Sequence, residues 1–206
     1  MVDKHQSTEQ AILYAAEEIF LEKGYVGGKT TEIAKKAGVT HAMLHYYFRT
    51  KDNLFRIVIK KQVGLLANSI LPILNDNGTF GEIISRAIEK HFEFVRKNPN
   101  IVFFVIREIH SNAIGKQIWN DIASPILDNI VKNMAERIEL EKREGTLQQD
   151  LNSMNFLITL MSLNLFIFIA QPILSTVGNI DHDTFERLLE ERKKENIKIV
   201  MSILQP

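Results

Sequence analysis

Nearly every segment of this chain carries a helical period, and no stretch alternates apolar and polar residues between hairpin turns. That leaves few architectures open, and the sequence predicts an all-α protein of about nine helices. Ser7-Thr8-Glu9-Gln10 fits a capping box, and Ile12, Ala15, Ala16, Ile19 and Phe20 form one apolar stripe behind it. Gly24 stands where a glycine should close this first helix. A short second helix, with Ile33, Ala34 and Ala37 inward, stops at Gly38. Val39-Thr40 leads into a third, with Leu44, Tyr47 and Phe48 inward. Thr50 can cap a fourth, which runs toward Leu71-Pro72. Thr79 with Glu82 makes a second capping box for a fifth helix ending at Asn98-Pro99, and a sixth extends from Ile101 to Ser111. Ser124-Pro125 reads as an N-cap and first-turn pair opening a long helix that Gly145 ends. An apolar eighth helix and a last one, Thr184 to Leu204, complete the chain.

The apolar run Phe156–Ala170 is broken only by Thr159, Ser162 and Asn164. A membrane-spanning helix needs about 20 apolar residues. This run is shorter, holds an asparagine mid-way and meets Pro172, so a helix covered on nearly all sides fits better than a span. Cysteine is absent, which removes disulfides, thiolate nucleophiles and zinc–thiolate sites. The first residues lack a basic stretch followed by an apolar one, so the expected location is cytoplasmic, with no membrane partner.

The net charge of zero hides an asymmetry. From Lys23 to Lys61 nine Lys or Arg face two acids, for +7; residues 1–22 carry −4 and residues 62–206 carry −3. A basic block of this kind suits a polyanion, although a solvated face has the same composition. Its context sharpens the reading. Two short helices joined by Ala37-Gly38-Val39-Thr40 have the form of a helix-turn-helix, whose second helix enters the major groove of DNA. With Leu44, Tyr47 and Phe48 inward, His41, Ala42, Met43, His45 and Tyr46 face out.

The strings Ile33-Ala34-Lys35-Lys36-Ala37-Gly38-Val39-Thr40 and Leu44-His45-Tyr46-Tyr47-Phe48-Arg49-Thr50-Lys51-Asp52-Asn53-Leu54 carry a resemblance. Residues 8–55 resemble the N-terminal domain of tetracycline-repressor-like (TetR/AcrR) regulators. The resemblance implies a DNA-binding domain at 1–55, a fourth helix over about 51–71 as connector, and a helical effector-binding and dimerisation domain at 72–206. It implies that Thr40 caps the recognition helix and touches phosphate, and that His41, Ala42 and Met43 lie nearest the bases. Tyr46 and Lys51 match backbone-gripping positions, His45 replaces a phosphate-bonding tyrosine, and Lys29 and Thr31 join the DNA-facing set. Gly28 stands where the family has the Thr or Ser that caps helix two, and Ala42 replaces a frequent glycine. The implied partners are double-stranded DNA with an inverted-repeat operator, a second copy of the chain, and a small-molecule effector. No cofactor is implied, and the expected role is that of a repressor released from a palindromic operator by a small lipophilic effector, although the sequence alone does not separate repressor from activator.

Rival signals are weaker. Gly24–Thr30 grazes a phosphate-loop pattern, but the first glycine is one residue too close and the segment follows a helix rather than a strand. His41 and His45 share a helical face without further metal ligands nearby. No catalytic constellation appears, so an enzyme with a helical body has no residues to name. A helical scaffold without DNA binding leaves the basic block unexplained. His91 and His182 read as surface or boundary residues.

In the body, the resemblance implies a cavity among helices five to eight. Phe92, Phe103, Phe104, Trp119, Met161 and Phe166 are candidate walls, with Arg107, His110 and Asn164 as polar anchors. The same residues also describe a plain core, and both readings stay open. The implied dimer is a four-helix interface of the last two helices from each subunit, to which Phe185, Leu188, Leu189, Val200 and Ile203 can contribute.

Overall fold

A computed structural model describes residues 4–111 and 113–204. Among them every regular element is a helix: α1 (Lys4–Gly27), α2 (Thr30–Lys36), α3 (His41–Phe48), α4 (Lys51–Leu74), α5 (Phe80–Lys97), α6 (Asn100–Ser111), α7 (Ala113–Arg143), α8 (Ser153–Val177) and α9 (His182–Leu204). They form two compact units. The first holds the residues up to Leu65 together with Phe103–Ile126, and the second holds Leu66–Val102 and the residues from Leu127 on. Thus α4, α6 and α7 each contribute to both.

Local chemistry accounts for most helix ends. Gly38 (φ 69°) closes α2 with a paired return, Val39 N–H donating to the Ala34 carbonyl and Gly38 N–H to the Lys35 carbonyl. Gly145 (φ 74°) closes α7 in the same way, with Thr146 N–H donating to the Glu141 carbonyl. The capping box of Thr79 and Glu82 is present, and Asn152 caps α8 by accepting from Asn155 N–H at 2.9 Å. Two expected boundaries move. α1 begins at Lys4, ahead of the Ser7 capping box. Ser124-Pro125 does not open α7, which already runs from Ala113 with Pro125 inside it. The cause is burial: Ile118, Trp119 and Ala123 lie on one face of the earlier turns and are packed away from solvent, which outweighs the preference of proline for a first turn.

The first unit is built on a run of aromatic rings. Phe20 meets Phe55 edge-on at 4.9 Å between centroids, Tyr25 meets Phe55 at 5.0 Å, Phe55 meets Phe104 at 5.9 Å, and Phe104 meets Trp119 at 6.4 Å. Each fully buried ring contributes about 1.5–3 kcal/mol, and each edge-to-face pair about 0.5–1.5 kcal/mol more. Phe20 also explains Gly28: a Cβ there would lie 2.4 Å from the Phe20 ring. The N-cap of α2 is Lys29 rather than Gly28, and it makes no side-chain cap.

Gly24 interrupts α1 with φ 70° and ψ −175°, a region open essentially to glycine alone. Arg107 of α6 meets the chain here. Its guanidinium donates to the Leu21 and Glu22 carbonyls at 2.8 and 2.7 Å, which α1 leaves free at the break. The fully buried Glu108 accepts from Tyr25 N–H at 3.0 Å. Burial raises its carboxyl above the ordinary range, against the opposing pull of that N–H, of Arg107 and of Lys51.

In the second unit α5 packs against α8 and α9, and α8 against α9. Its core joins Phe80, Ile84 and Ile88 of α5 to Met134 and Ile138 of α7, Phe156 of α8, and Val200 and Leu204 of α9. Arg96 of α5 pairs with Glu186 and Glu190 of α9, and Lys193 with Glu93 at 2.7 Å. Helices α4 and α8 are each long and apolar enough, by length and composition, to cross a membrane. On α8 one side nevertheless belongs to the core just described and carries the buried Asn164.

Gly24→Ala is expected to destabilise the protein by about 1–3 kcal/mol, since the added Cβ would also lie 2.4 Å from a Glu108 carboxylate oxygen. Urea denaturation checks this. A midpoint unchanged from the parent would show that the break in α1 relaxes without cost.

Candidate functional site

The helix-turn-helix presents α3 to solvent along one side. Leu44 and Phe48 are buried and fix the helix on its support, while His41, Ala42, Met43, His45 and Tyr46 are exposed, Tyr46 by 66%. Thr40 caps α3, its side chain accepting from Met43 N–H at 3.2 Å. Lys29 and Thr31 are also exposed, at the start of α2.

The two histidines are held. His41 Nε2 lies 3.0 Å from the Thr30 hydroxyl, and the His41 and His45 rings meet edge-on at 4.4 Å. His45 Nδ1 lies 2.8 Å from the Arg49 carbonyl oxygen. A carbonyl only accepts, so Nδ1 carries a proton and the Nε2 of a neutral ring is an acceptor. His45 therefore donates to a phosphate through Nε2 only as the imidazolium, which narrows the role the sequence suggested for it. No cluster of three or more potential metal-ligating side chains occurs among the described residues.

Lys51 begins α4. Its ammonium lies 4.6 Å from the Tyr25 ring centroid and 3.5 Å from the Val26 carbonyl. Partial burial lowers its pKa, against the raising pull of Asp52 and Glu108. Tyr25 in turn donates its hydroxyl to Asp52, and its own pKa is pushed up to about 12, by burial first and by Asp52 second. Tyr25, Thr30 and Arg49 were not anticipated. Arg49 has φ 62° and its guanidinium stands 6.0 Å from the Tyr46 ring centroid. Its place inside the matched string was the available signal.

A second feature lies wholly in the second unit. A cavity of about 270 Å³ is walled by apolar side chains from α4, α5, α7 and α8, among them Leu66, Ile70, Ile88, Met134, Leu160 and Met161. Its two polar residues are His91 and Asn164. Asn164 Nδ2 donates to the Ile88 carbonyl at 3.2 Å and lies 3.3 Å from His91 Nδ1. Asn196 Nδ2 donates to the Leu163 carbonyl at 2.9 Å and to Asn164 Oδ1 at 3.0 Å. Burial lowers the His91 pKa to about 4.

Known proteins bear on both features. Residues 12–58 match the model of bacterial regulatory proteins of the tetR family. This segment carries a tetR-family domain. The chain is a DNA-binding transcriptional regulator and not an enzyme. It is 27% identical over 136 residues to the fatty acid metabolism regulator protein of Bacillus subtilis, covering 65% of this chain and 70% of that one. It is 44% identical over 52 residues to the transcriptional repressor BepR of Brucella suis, covering 25% of each. Its fold matches the crystal structure of the regulator FadR from Bacillus subtilis in complex with stearoyl-CoA, with a TM-score of 0.69 at 18% identity, over 95% of this chain and 99% of that one.

Of the nine expected effector residues, the structure places only Met161 and Asn164 at the cavity. Phe104 and Trp119 are core rings of the first unit, and Arg107 serves the break in α1. Phe92 packs on Phe168 with centroids 5.1 Å apart. Phe103, His110 and Phe166 are exposed, and the His110 ring bonds back to the Ile106 carbonyl. His91, read from the sequence as a surface or boundary residue, lines the cavity instead. The expected dimer residues separate too. Phe185, Leu189 and Val200 are buried within one chain and so are unavailable to a partner, while Leu188 and Ile203 are half-buried. On α8, by contrast, Ile158, Phe166, Ile173 and Val177 are 55–82% exposed.

Affinity for DNA is expected to fall steeply with salt, by about 0.9 in log affinity per log salt for each phosphate neutralised. Lys51→Ala should weaken binding to all sequences alike and flatten that slope. An unchanged slope in filter-binding titrations would remove Lys51 from the phosphate contacts.

Proposed function

We propose that this regulator is a cytoplasmic repressor that grips an inverted-repeat operator as a dimer and is released by a lipophilic effector of the acyl type. The observation that carries the proposal is the double use of α4. This single helix starts with Lys51, beside the recognition helix, and continues into Leu66, Ile70 and Leu74 of the cavity wall. A ligand that moves that wall acts on the element that carries the phosphate-facing lysine. The printed names of the two Bacillus subtilis proteins, a fatty acid metabolism regulator and a regulator in complex with stearoyl-CoA, support an acyl chain as the class of effector. The scarcity of polar groups in the wall supports it independently.

On DNA, we assign phosphate contacts to Lys29, Thr31, Thr40, Tyr46 and Lys51, and base contacts to His41, Ala42 and Met43, with His45 at the edge between them. Phosphate contacts set the register, and base contacts choose the sequence. The base-facing set contains no Arg or Asn, so apolar contact with thymine methyls and readout of DNA shape carry much of the selectivity.

The dimer face is the exposed apolar side of α8, on which Ile158, Phe166 and Ile173 would meet the same helix of a second copy. A patch of this kind on a soluble regulator marks an interface, and a two-fold pair makes it self-complementary. Sedimentation is expected to show a dimer, and Phe166→Asp with Ile173→Asp should give folded monomers of much reduced operator affinity. Val200→Asp should instead unfold the chain, because Val200 is wholly buried. A double variant that stays dimeric would rule out this face.

The functional test uses an operator selected from a random DNA pool, with affinity measured with and without octanoyl-CoA and stearoyl-CoA. A coupling of about 1–3 kcal/mol corresponds to a 5–150-fold loss of affinity. By linkage, operator DNA must weaken acyl-CoA binding by the same factor. Binding of either compound without any change in operator affinity would refute acyl sensing.

A further inference from the structure

We propose that the cavity selects a ligand with an uncharged hydrogen-bond acceptor at its polar end, an ester or thioester carbonyl, and that His91 Nε2–H is the group that binds it. This rests on the cavity being the effector site and adds the chemistry of recognition.

The argument starts from amide orientations that the backbone fixes. Asn196 Nδ2 donates to the Leu163 carbonyl, so its amide cannot be turned round. The same nitrogen donates to Asn164 Oδ1, and Asn164 Nδ2 donates to the Ile88 carbonyl, so the second amide is fixed as well. Asn164 therefore offers N–H to His91 Nδ1 at 3.3 Å. An imidazole nitrogen that accepts a hydrogen bond carries no proton. The His91 proton is left on Nε2, for which no partner exists among the described residues. Burial, which lowers the His91 pKa to about 4, keeps the ring neutral at physiological pH.

A neutral donor in an apolar wall discriminates sharply. It has no positive charge to offset the cost of desolvating a carboxylate. It does satisfy a carbonyl without that cost. A free fatty acid is thereby disfavoured against its ester or thioester. Size adds a second limit. A 150 Å³ cavity holds benzene, so one of about 270 Å³ takes on the order of eleven non-hydrogen atoms. That corresponds to an eight-carbon acyl group with its carbonyl and one substituent; the cavity is open on one side, so a longer chain or a larger head extends out of it.

The test uses the full-length chain and three probes matched in size: methyl octanoate, octanoate and pentylbenzene, titrated at neutral pH by calorimetry. Methyl octanoate should bind at least about tenfold more tightly than octanoate. His91→Phe should lower affinity for the ester about five- to tenfold while leaving pentylbenzene within about twofold, which also shows that the variant cavity is folded. His91→Gln, which restores an N–H donor, should recover ester binding. Octanoate binding as tightly as the ester would overturn the proposal, as would ester affinity unchanged in His91→Phe or lost in parallel with pentylbenzene. If none of the three probes binds the parent chain, the effector-site reading itself fails. If pentylbenzene binds and the histidine variants do not separate it from the ester, that reading stands and only the recognition chemistry is overturned.

Discussion

The break at Gly24 organises the DNA-reading unit. With φ 70° and ψ −175° the backbone leaves its helical path, so the Leu21 and Glu22 carbonyls and the Tyr25 N–H lose partners within α1. Arg107 and Glu108, adjacent on α6, supply them from outside the helix. One consequence is a charged guanidinium on two carbonyls, a stronger contact than a neutral pair. The other is the position of Tyr25. Its ring packs on Phe55, stands beside the Lys51 ammonium, and sends its hydroxyl to Asp52. Lys51 is thus set by a glycine far from it in sequence, through an aromatic ring and a segment of α6.

A comparable constraint governs α8. Its residues are apolar nearly all round, yet a single chain covers only one side of it. On the covered side Asn164 is buried and meets Asn196 from α9 and His91 from α5. Burying two amides is costly unless their polar atoms are bonded. Here two backbone carbonyls and a ring nitrogen accept from the amide nitrogens, Asn164 Oδ1 accepts from Asn196 Nδ2, and only Asn196 Oδ1 of the two amides stands unpartnered. Such a ladder does not add much stability over an apolar core. It does fix the register of α5, α8 and α9 against sliding, because a shift of one turn strands every member.

How much of this was legible in the sequence follows from what each kind of signal reports. Caps and C-terminal glycines are local chemistry, so Thr79 starts α5 and Gly38 and Gly145 end α2 and α7 where expected. Proline at 125 misled because its preference for a first turn is weaker than the burial of Ile118 and Trp119 just before it. The helix-turn-helix was readable because its inward and outward residues alternate within one short helix. Periodicity in the body assigned a face but not its cover. Phe185, Leu189 and Val200 form a stripe whether they meet a partner or their own core, and the structure gives them to the core. The aromatics chosen as cavity walls were grouped by helix number. Helices α6 and α7 each serve both units, so Phe104 and Trp119 went to the other one. His91 was passed over because a lone histidine on an amphipathic helix carries no sequence mark of burial.

The energetics of the cavity explain how so plain a wall can hold information. The cavity opens to solvent on one side, where Met161 is 44% exposed, so a lipophilic ligand gains by taking its own surface and that of the wall out of water, about 25 cal/mol per Å² of apolar area. Of this gain, a typical coupling between sites requires about 1–3 kcal/mol. Only the part that differs between the DNA-competent and released states does regulatory work. The wall from α4 is where that difference can arise, since α5, α8 and α9 are tied to one another by the asparagine ladder and by the Arg96 and Lys193 ion pairs. A ligand that needs more room therefore meets two walls, α5 and α8, locked together through α9, and two, α4 and α7, that are not held by those bonds; of these α4 carries Lys51.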